Sequence, residues 1–458
     1  MQPAVVKLKK AILLIGDLAI LYLSLFLTLL IRTGGHVTEN VWREHFYPFT
    51  IIYVIWIIVF FINDLYNLNI TQDAYKFTKK LTKALVINAL IAVGFFYLIP
   101  YFGIAPKTNL FLNIIIFVAL IYAWRFFFNS VISRSVFANR ILLLGPSAQF
   151  ADILPGLQSG RYHGWKVVAV WDPGETKEYR RDNIKYFKNS TPLADAIQAE
   201  KINTIVIGID LEENKNIARD LYKSIFDNVT IHNLPNFYEI VTQRLPADLL
   251  SETWFLENIK ETDKIFYDVI KVIYDFILGL VVGIIFIITL PVIAAIIMID
   301  DGRPIFYSQK RVGKKEKTFK IFKYRSMRRD AERQGVLWAQ KDDDRITPSG
   351  RFLRKTRLDE LPQVLNVIKG DMSFIGPRPE RPEFVRDLVE MMPFYSIRHL
   401  VKPGLTGWAQ INYEYAASFE ENLKKLQYDL YYIKNRSLLL DFKIALKTLG
   451  IMISRKGQ

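Results

Sequence analysis

The chain has 458 residues, 51% of them hydrophobic, with 60 Lys and Arg against 45 Asp and Glu for a formal net charge of +15. That length holds two or three domains, and so apolar a composition fits a membrane protein that also carries folded soluble mass, excluding a disordered or fibrous chain. With no cysteine and five scattered histidines, disulfides, zinc-thiolate sites and cysteine nucleophiles are excluded, so catalysis must rest on carboxylates, hydroxyls, Lys or Arg.

Four apolar runs near residues 11–31, 46–62, 85–102 and 110–128 approach the roughly 20 residues a membrane-spanning helix needs. The first is too long for a signal-peptide core and lacks a small-residue cleavage site, so it reads as a retained span. Lys7, Lys9 and Lys10 precede it, Lys76, Lys79, Lys80 and Lys83 separate the second run from the third, and Arg134 and Arg140 follow the fourth. Positive charge marks the cytoplasmic side, which puts the N-terminus and everything after Arg134 in the cytoplasm. Tyr53, Trp56, Trp124 and the aromatics of 126–128 are expected at the lipid or the interface.

From 136 to 250, short β-branched runs at 141–144, 165–171, 203–209 and 229–233 alternate with polar helical segments, the pattern of a small parallel α/β, Rossmann-like module. Its first turn, Gly145-Pro146-Ser147-Ala148, lacks the second and third glycines of a dinucleotide fingerprint, which favours a structural or regulatory module over a working nucleotide site. A linker is expected over 251–268.

The apolar stretch 269–299 contains Asp275 and Pro291. Were it to cross the membrane, the basic region that follows would lie outside, against the charge rule. Proline removes a backbone donor and clashes with the preceding turn, so a break at Pro291 would let the helix re-enter its own side. A kinked transmembrane helix is the other reading, since proline is tolerated there.

Residues 300–458 hold the densest clustering of reactive and phosphate-binding residue types. In the block 302–327, Lys323 and Arg325 sit among apolar residues that must pack, and both are expected to bind substrate phosphate, whereas Lys314, Lys315 and Lys317 read as a solvated basic face. In the block 351–384, Asp359 and Glu360 are adjacent acids within a run of cations that includes Arg351, Arg354, Lys355 and Arg357. Nearby cations favour an ionised carboxylate, which can attack phosphorus or hold a divalent metal; adjacent acids at a helix start also serve as caps. Gly376-Pro377-Arg378-Pro379 is a rigid turn presenting one guanidinium, whose planar fork matches phosphate oxygens. The block 402–435 supplies a glycine-rich loop, Trp408, and Tyr428, Tyr431 and Tyr432, which suit either sugar and uracil binding or packing. The segment 438–453 is amphipathic and expected on the protein or membrane surface. Nucleic-acid binding is disfavoured, because the basic residues cluster beside apolar spans without a groove-reading motif.

The ordered strings QKRVG, FKIFKYRSM, LRKTRLDELPQ, GDMSFIGPRPERPEF, KPGLTGWAQIN and YDLYYIKN resemble the bacterial sugar transferase family of monotopic polyprenyl-phosphate phosphoglycosyl transferases over residues 269–449. The four spans and the α/β module resemble the long form of that family, of the undecaprenyl-phosphate glucose or galactose phosphotransferase type. The resemblance implies a multi-pass protein of the bacterial inner membrane with a mainly helical catalytic domain on the cytoplasmic face, a re-entrant helix broken at Pro291 and interfacial amphipathic helices. It implies transfer of hexose-1-phosphate from a UDP-sugar to polyprenyl phosphate, initiating exopolysaccharide, O-antigen or capsule assembly. Asp359 would be the nucleophile, Glu360 its partner acid, Mg2+ would sit with Asp359 and the diphosphate, and Lys323, Arg354 and Arg378 would bind phosphate. It leaves homo-oligomerisation open. This chain departs from the common pattern at Leu290, where the family often has Ser before the proline, and at Ile411 to Tyr415, which replace the common VNG turn.

Overall fold

The computed structural model describes residues 4–66, 74–98, 107–132, 139–145, 148–159, 162, 165–172, 184–188, 192–212, 214–224, 229–259, 261–329, 331, 343–392, 394–413 and 418–453. The chain forms two compact units, Met1–Thr242 and Gln243–Gln458.

The first unit opens with helices α1 (Ala4–Arg32), α2 (Glu39–Ile62), α3 (Ala74–Leu98) and α4 (Lys107–Phe127), the last extended by a π-turn, Phe128–Ile132. All four contain stretches long and apolar enough to cross a membrane. Helix α3 starts well before its apolar run, so Lys79, Lys80 and Lys83 lie in its early turns, not in a loop; the expected end of that run, 99–102, falls outside the described residues. The aromatic expectation needs correcting. Tyr53 and Trp56 are 1% exposed in the bundle core, packed with Leu21, Phe49 and Phe117. Their polar ends find partners inside, as buried Tyr and Trp require: the Tyr53 hydroxyl donates to Asn113 Oδ1 at 3.3 Å and Trp56 Nε1 donates to the Asn88 carbonyl at 2.9 Å. Phe126 and Phe127 are exposed, as anticipated, whereas Phe128 is buried. An ion pair lies inside the bundle, Asp17 to Arg125 at 2.5 Å. Trp124 Nε1 donates to the Asp17 carboxylate, and Arg125 Nη1 to the Leu65 carbonyl. Charges among spanning helices face the bundle interior because lipid offers them no partner.

The α/β module follows as β1 (Asn139–Leu144), α5 (Ala148–Gln158), β2 (Trp165–Asp172), β3 (Lys185–Lys188), α6 (Leu193–Ala199), β4 (Thr204–Ile207), α7 (Lys215–Ser224), β5 (Thr230–Asn233) and α8 (Leu234–Thr242). Its sheet is parallel in the order β3-β2-β1-β4-β5, the doubly wound arrangement in which ligands bind where the order reverses, beyond β1 and β4. At that point Gly145 has φ +82°, and a Cβ there would stand 2.0 Å from Ile209 Cγ2. The glycine serves a close protein contact. Strand β3 was not anticipated, because Lys-Tyr-Phe-Lys is short and half charged.

In the second unit the stretch expected as a linker is folded. Helix α9 (Glu252–Asn258) is capped by Ser251, whose Oγ accepts from Trp254 N. Phe255, together with Leu245 and Leu250, enters a core shared with Leu388, Leu426 and Leu430. Helix α10 (Ile265–Asp301) runs 37 residues, about 55 Å at roughly 1.5 Å per residue, and is also long and apolar enough to cross a membrane. Helical backbone continues through Pro291, so the expected break is reduced to one missing main-chain donor. Thr289 Oγ1 donates to the Ile285 carbonyl at 2.8 Å just before it.

One face of α10, with Phe286, Ile293 and Ile297, is buried, while Ile277, Val281, Ile284, Ile288 and Val292 are exposed. Then come β6 (Phe306–Val312) and β7 (Thr318–Tyr324), an antiparallel hairpin; α11 (Pro348–Thr356); a 3-10 turn, Leu358–Gln363; α12 (Val364–Lys369); β8 (Ser373–Ile375); α13 (Pro382–Met391); β9 (Gly404–Thr406), parallel to β8; α14 (Trp408–Asn412); α15 (Phe419–Asn435); and α16 (Leu438–Ile453). The polar residues of α10 are clamps. Asp275 Oδ1 accepts from Phe374 N at 3.1 Å, and the buried Asp441 of α16 accepts from Tyr267, Lys271, Tyr274 and Tyr432. Helix α16 does not divide into an apolar inner and a polar outer face as expected: Asp441 and Ile444 are buried, while Leu439, Phe442 and Leu449 are exposed.

Candidate active site

Two backbone devices deliver the adjacent acids. Thr347 caps α11, its Oγ1 accepting from Gly350 N at 3.0 Å, with Pro348 in the first turn. The helix ends at Arg357, which adopts φ 57°, ψ 18°, a left-handed conformation that terminates helices. The chain reverses there into the 3-10 turn carrying Asp359 and Glu360. Successive residues of a 3-10 turn point about 120° apart, so the two carboxylates meet different surroundings. Opposite them, strand β7 presents Lys323. Its edge is pinned by the fully buried Asn366 of α12, whose Nδ2 donates to the Lys320 carbonyl at 2.7 Å and whose Oδ1 accepts from Phe322 N at 3.1 Å.

Glu360 takes the cations. Its Oε1 accepts from Lys323 Nζ and from Arg378 Nη2, both at 2.8 Å, and Arg357 Nη1 stands 3.9 Å from Oε2. Burial works to raise the Glu360 pKa, but Arg378 and Lys323 outweigh it and hold the carboxyl well below the usual range. In the other direction, burial lowers the Lys323 ammonium despite Glu360. Asp359 is 8% exposed and is pushed up to about 6, first by burial and then by the charge of Glu360, with Lys323, Arg354 and Arg378 acting against both. This reverses the expectation that the surrounding cations would dominate at Asp359, because the closest of them are committed to Glu360. Among the described residues none donates a hydrogen bond to the Asp359 carboxylate, so its oxygens are chemically unspent.

The remaining expected residues divide. Arg354 belongs to the group by its field on Asp359, and its Nε is oriented by Ser326 Oγ at 2.9 Å. Arg325 does not join it. That guanidinium is buried against the end of α10, donating to the carbonyls of Asp301, Gly302 and Arg303 at 2.8, 2.6 and 3.3 Å; the last carbonyls of a helix lack intrahelical donors and attract a cation. Arg378 extends from the Gly-Pro-Arg-Pro turn, which is seated by backbone contact too close for any side chain. A Cβ on Gly404 would lie 2.1 Å from Gly376 N, and one on Gly407 would lie 2.2 Å from Gly376 O. Trp408 is 2% exposed, stacks on Tyr431 and donates from Nε1 to the Gln243 carbonyl, and Tyr432 is buried on Asp441. Both are packing residues.

Asn366 and Ser326 went unnoticed in the sequence. The signal for Asn366 was a polar residue inside the apolar run Val364 to Ile368, which a buried position tolerates only with partners.

The family model for bacterial sugar transferase matches residues 266–455. Over 167 residues the chain is 41% identical to the uncharacterized sugar transferase EpsL of Bacillus subtilis (strain 168), covering 36% of this chain and 77% of that protein. The chain belongs to the bacterial sugar transferase family. The segment matching the family contains α10 almost entire and every side chain of the acid–cation cluster. It is also 37% identical over 239 residues to the UDP-N-acetylgalactosamine-undecaprenyl-phosphate N-acetylgalactosaminephosphotransferase of Aeromonas hydrophila, 52% of this chain and 56% of that relative, so the match spans little more than half of its length. Similarity to the UDP-glucose:undecaprenyl-phosphate glucose-1-phosphate transferase of Xanthomonas campestris pv. campestris is 28% over 342 residues, 72% of this chain and 70% of the relative. An alignment that long reaches from the second unit into the first.

Proposed function

We propose that this protein transfers hexose-1-phosphate from a UDP-sugar to a polyprenyl phosphate, releasing UMP and forming a polyprenyl-diphospho-sugar that starts a surface glycan. The observation that carries this reading is the division of labour between adjacent acids: Glu360 is held ionised by Lys323 and Arg378, while Asp359 keeps unspent oxygens beside them. In the first half-reaction an Asp359 oxygen attacks the β-phosphorus, the bond from that phosphorus to the bridging oxygen breaks, and UMP leaves with the electron pair. In the second, a phosphate oxygen of the lipid attacks the same phosphorus and the carboxylate is restored. Splitting the transfer in this way replaces one difficult displacement with two easier ones. Lys323, Arg354 and Arg378 would meet the diphosphate charge.

The donor set also fits Mg2+ of the kind bound through one carboxylate plus substrate phosphates and water. Asp359 would be its protein ligand, since Glu360 is taken by two cations and no three acids or histidines converge among the described residues. Such an ion would neutralise diphosphate charge.

The donor is a UDP-sugar, and the names of the relatives divide among N-acetylgalactosamine, glucose and galactose. A panel of UDP-glucose, UDP-galactose and UDP-N-acetylgalactosamine, followed by UMP release with polyprenyl phosphate, is expected to single out one donor. With that donor alone, intact mass should rise by that donor's sugar phosphate, carried on Asp359. UMP release without an adduct on that residue, under acid quench, would overturn the covalent route.

The protein is further proposed to lie in the bacterial inner membrane with the second unit cytoplasmic and α10 returning to that side by bending where Pro291 leaves a main-chain donor missing, supported by the cationic flanks of α1 and α3 and by the need for cytoplasmic nucleotide sugars. A tag placed after Gln458 should resist impermeant reagents in intact cells; external labelling would mean that α10 crosses.

A further inference from the structure

The turn that presents Arg378 is held at four consecutive carbonyls. That of Pro377 accepts from Gly404 N at 2.9 Å, that of Arg378 from Arg398 Nη2 at 3.0 Å, that of Pro379 from Arg311 Nη1 at 3.2 Å, and that of Glu380 from Val312 N at 3.0 Å. Two donors are backbone groups and two are side chains, and only Arg398 acts on the residue whose guanidinium binds Glu360.

Arg398 is itself over-determined. It is 5% exposed, the same Nη2 donates to Asp429 Oδ2 at 2.8 Å, Nη1 donates to the Tyr395 hydroxyl, and the guanidinium lies 4.8 Å from the Tyr395 ring centroid. A buried pair of this kind is a poor source of stability, since desolvating two charges offsets their attraction and a well-packed apolar pair does as well. What the pair supplies is a donor fixed in direction.

We propose that Arg398, oriented by Asp429, is a positioning residue for transfer: by fixing the Arg378 carbonyl it sets where the Arg378 side chain meets Glu360 and the substrate diphosphate. This rests on the transferase reading above. The same pair fixes the backbone between two prolines, so the Arg378 side chain inherits its origin from a residue that never touches substrate. Displacing a charge-bearing group by about 1 Å costs about 100-fold in rate.

The test measures UMP release in the first half-reaction for Arg398→Met, Arg378→Met and their combination. Because Arg398→Met strands the Asp429 charge, Arg398→Met/Asp429→Leu, which removes both charges, is carried through the same cycle. In either form kcat is expected to fall about 100-fold with KM within about threefold, since a misplaced Arg378 costs the aligned transition state more than the bound ground state. Adding the change to Arg378→Met should cost nothing further, because the two residues act as one unit. A separate structural role would give the same fold-loss in both backgrounds, and that result, or wild-type turnover in the charge-free variant, overturns the proposal. A wild-type protein that releases no UMP from any UDP-sugar would instead refute the transferase reading.

Discussion

Asp359→Asn is expected to lower UMP release by about 1,000-fold or more, because the amide has no anionic oxygen to offer phosphorus, and removing a covalent nucleophile leaves only the residual effect of binding. The same change is expected to make the protein more stable. The carboxyl of Asp359 is raised from its ordinary value to about 6 by burial and then by Glu360, so in the folded state its ionised form is disfavoured. For an acid shifted upward, ionisation costs folding free energy, and the cost is absent below about pH 4, grows as pH rises, and is complete above about pH 6. A shift of about two pH units at roughly 1.4 kcal/mol each bounds the gain near 3 kcal/mol. Thermal unfolding in detergent at pH 7.5, paired with UMP assays, measures both. Normal turnover in Asp359→Asn would remove the nucleophile from the mechanism.

Glu360→Gln should move stability the other way. Glu360 is the common partner of Lys323 and Arg378, and removing one member of a buried group strands the others at a cost of about 3 kcal/mol. Transfer is expected to slow by about 100-fold as both cations lose their seat. The pH dependence separates this from simple damage. In the wild type kcat/KM for UMP release, taken without lipid so that no lipid phosphate titrates, should fall about tenfold per unit below about pH 6, where Asp359 becomes protonated. Glu360→Gln removes a charge that raises the Asp359 pKa and leaves cations that lower it, so the acid limb should move to lower pH. A limb that stays in place would show that the two acids are not coupled.

The apolar runs and the acid pair were legible because both depend on composition in a short window: spans need continuous hydrophobicity, and the Asp359-Glu360 pair stands out among cations. Direction was not legible. Arg325 and Lys323 are two residues apart with similar neighbours, yet Lys323 is turned onto Glu360 and Arg325 caps α10, a difference set by where β7 ends. Tyr53 and Trp56 looked like interfacial aromatics until Asn113 and Asn88, far along the chain, supplied partners. The helix at 252–258 is only seven residues long, too short to show a helical period, and Phe255 declares its purpose only against Leu388 and Leu426. Likewise Pro291 forbids one hydrogen bond, and the turns flanking it keep the helix continuous.

The ion pair inside the bundle also orders its biogenesis. Asp17 and Arg125 are separated by 108 residues, so at about 5–20 residues per second the ribosome needs about 5–20 s to follow the acid with its base. During that interval the first helix carries a lone carboxyl that lipid rejects, which favours its retention by the insertion machinery until the fourth helix emerges. Release to the bilayer then becomes an event of the completed set.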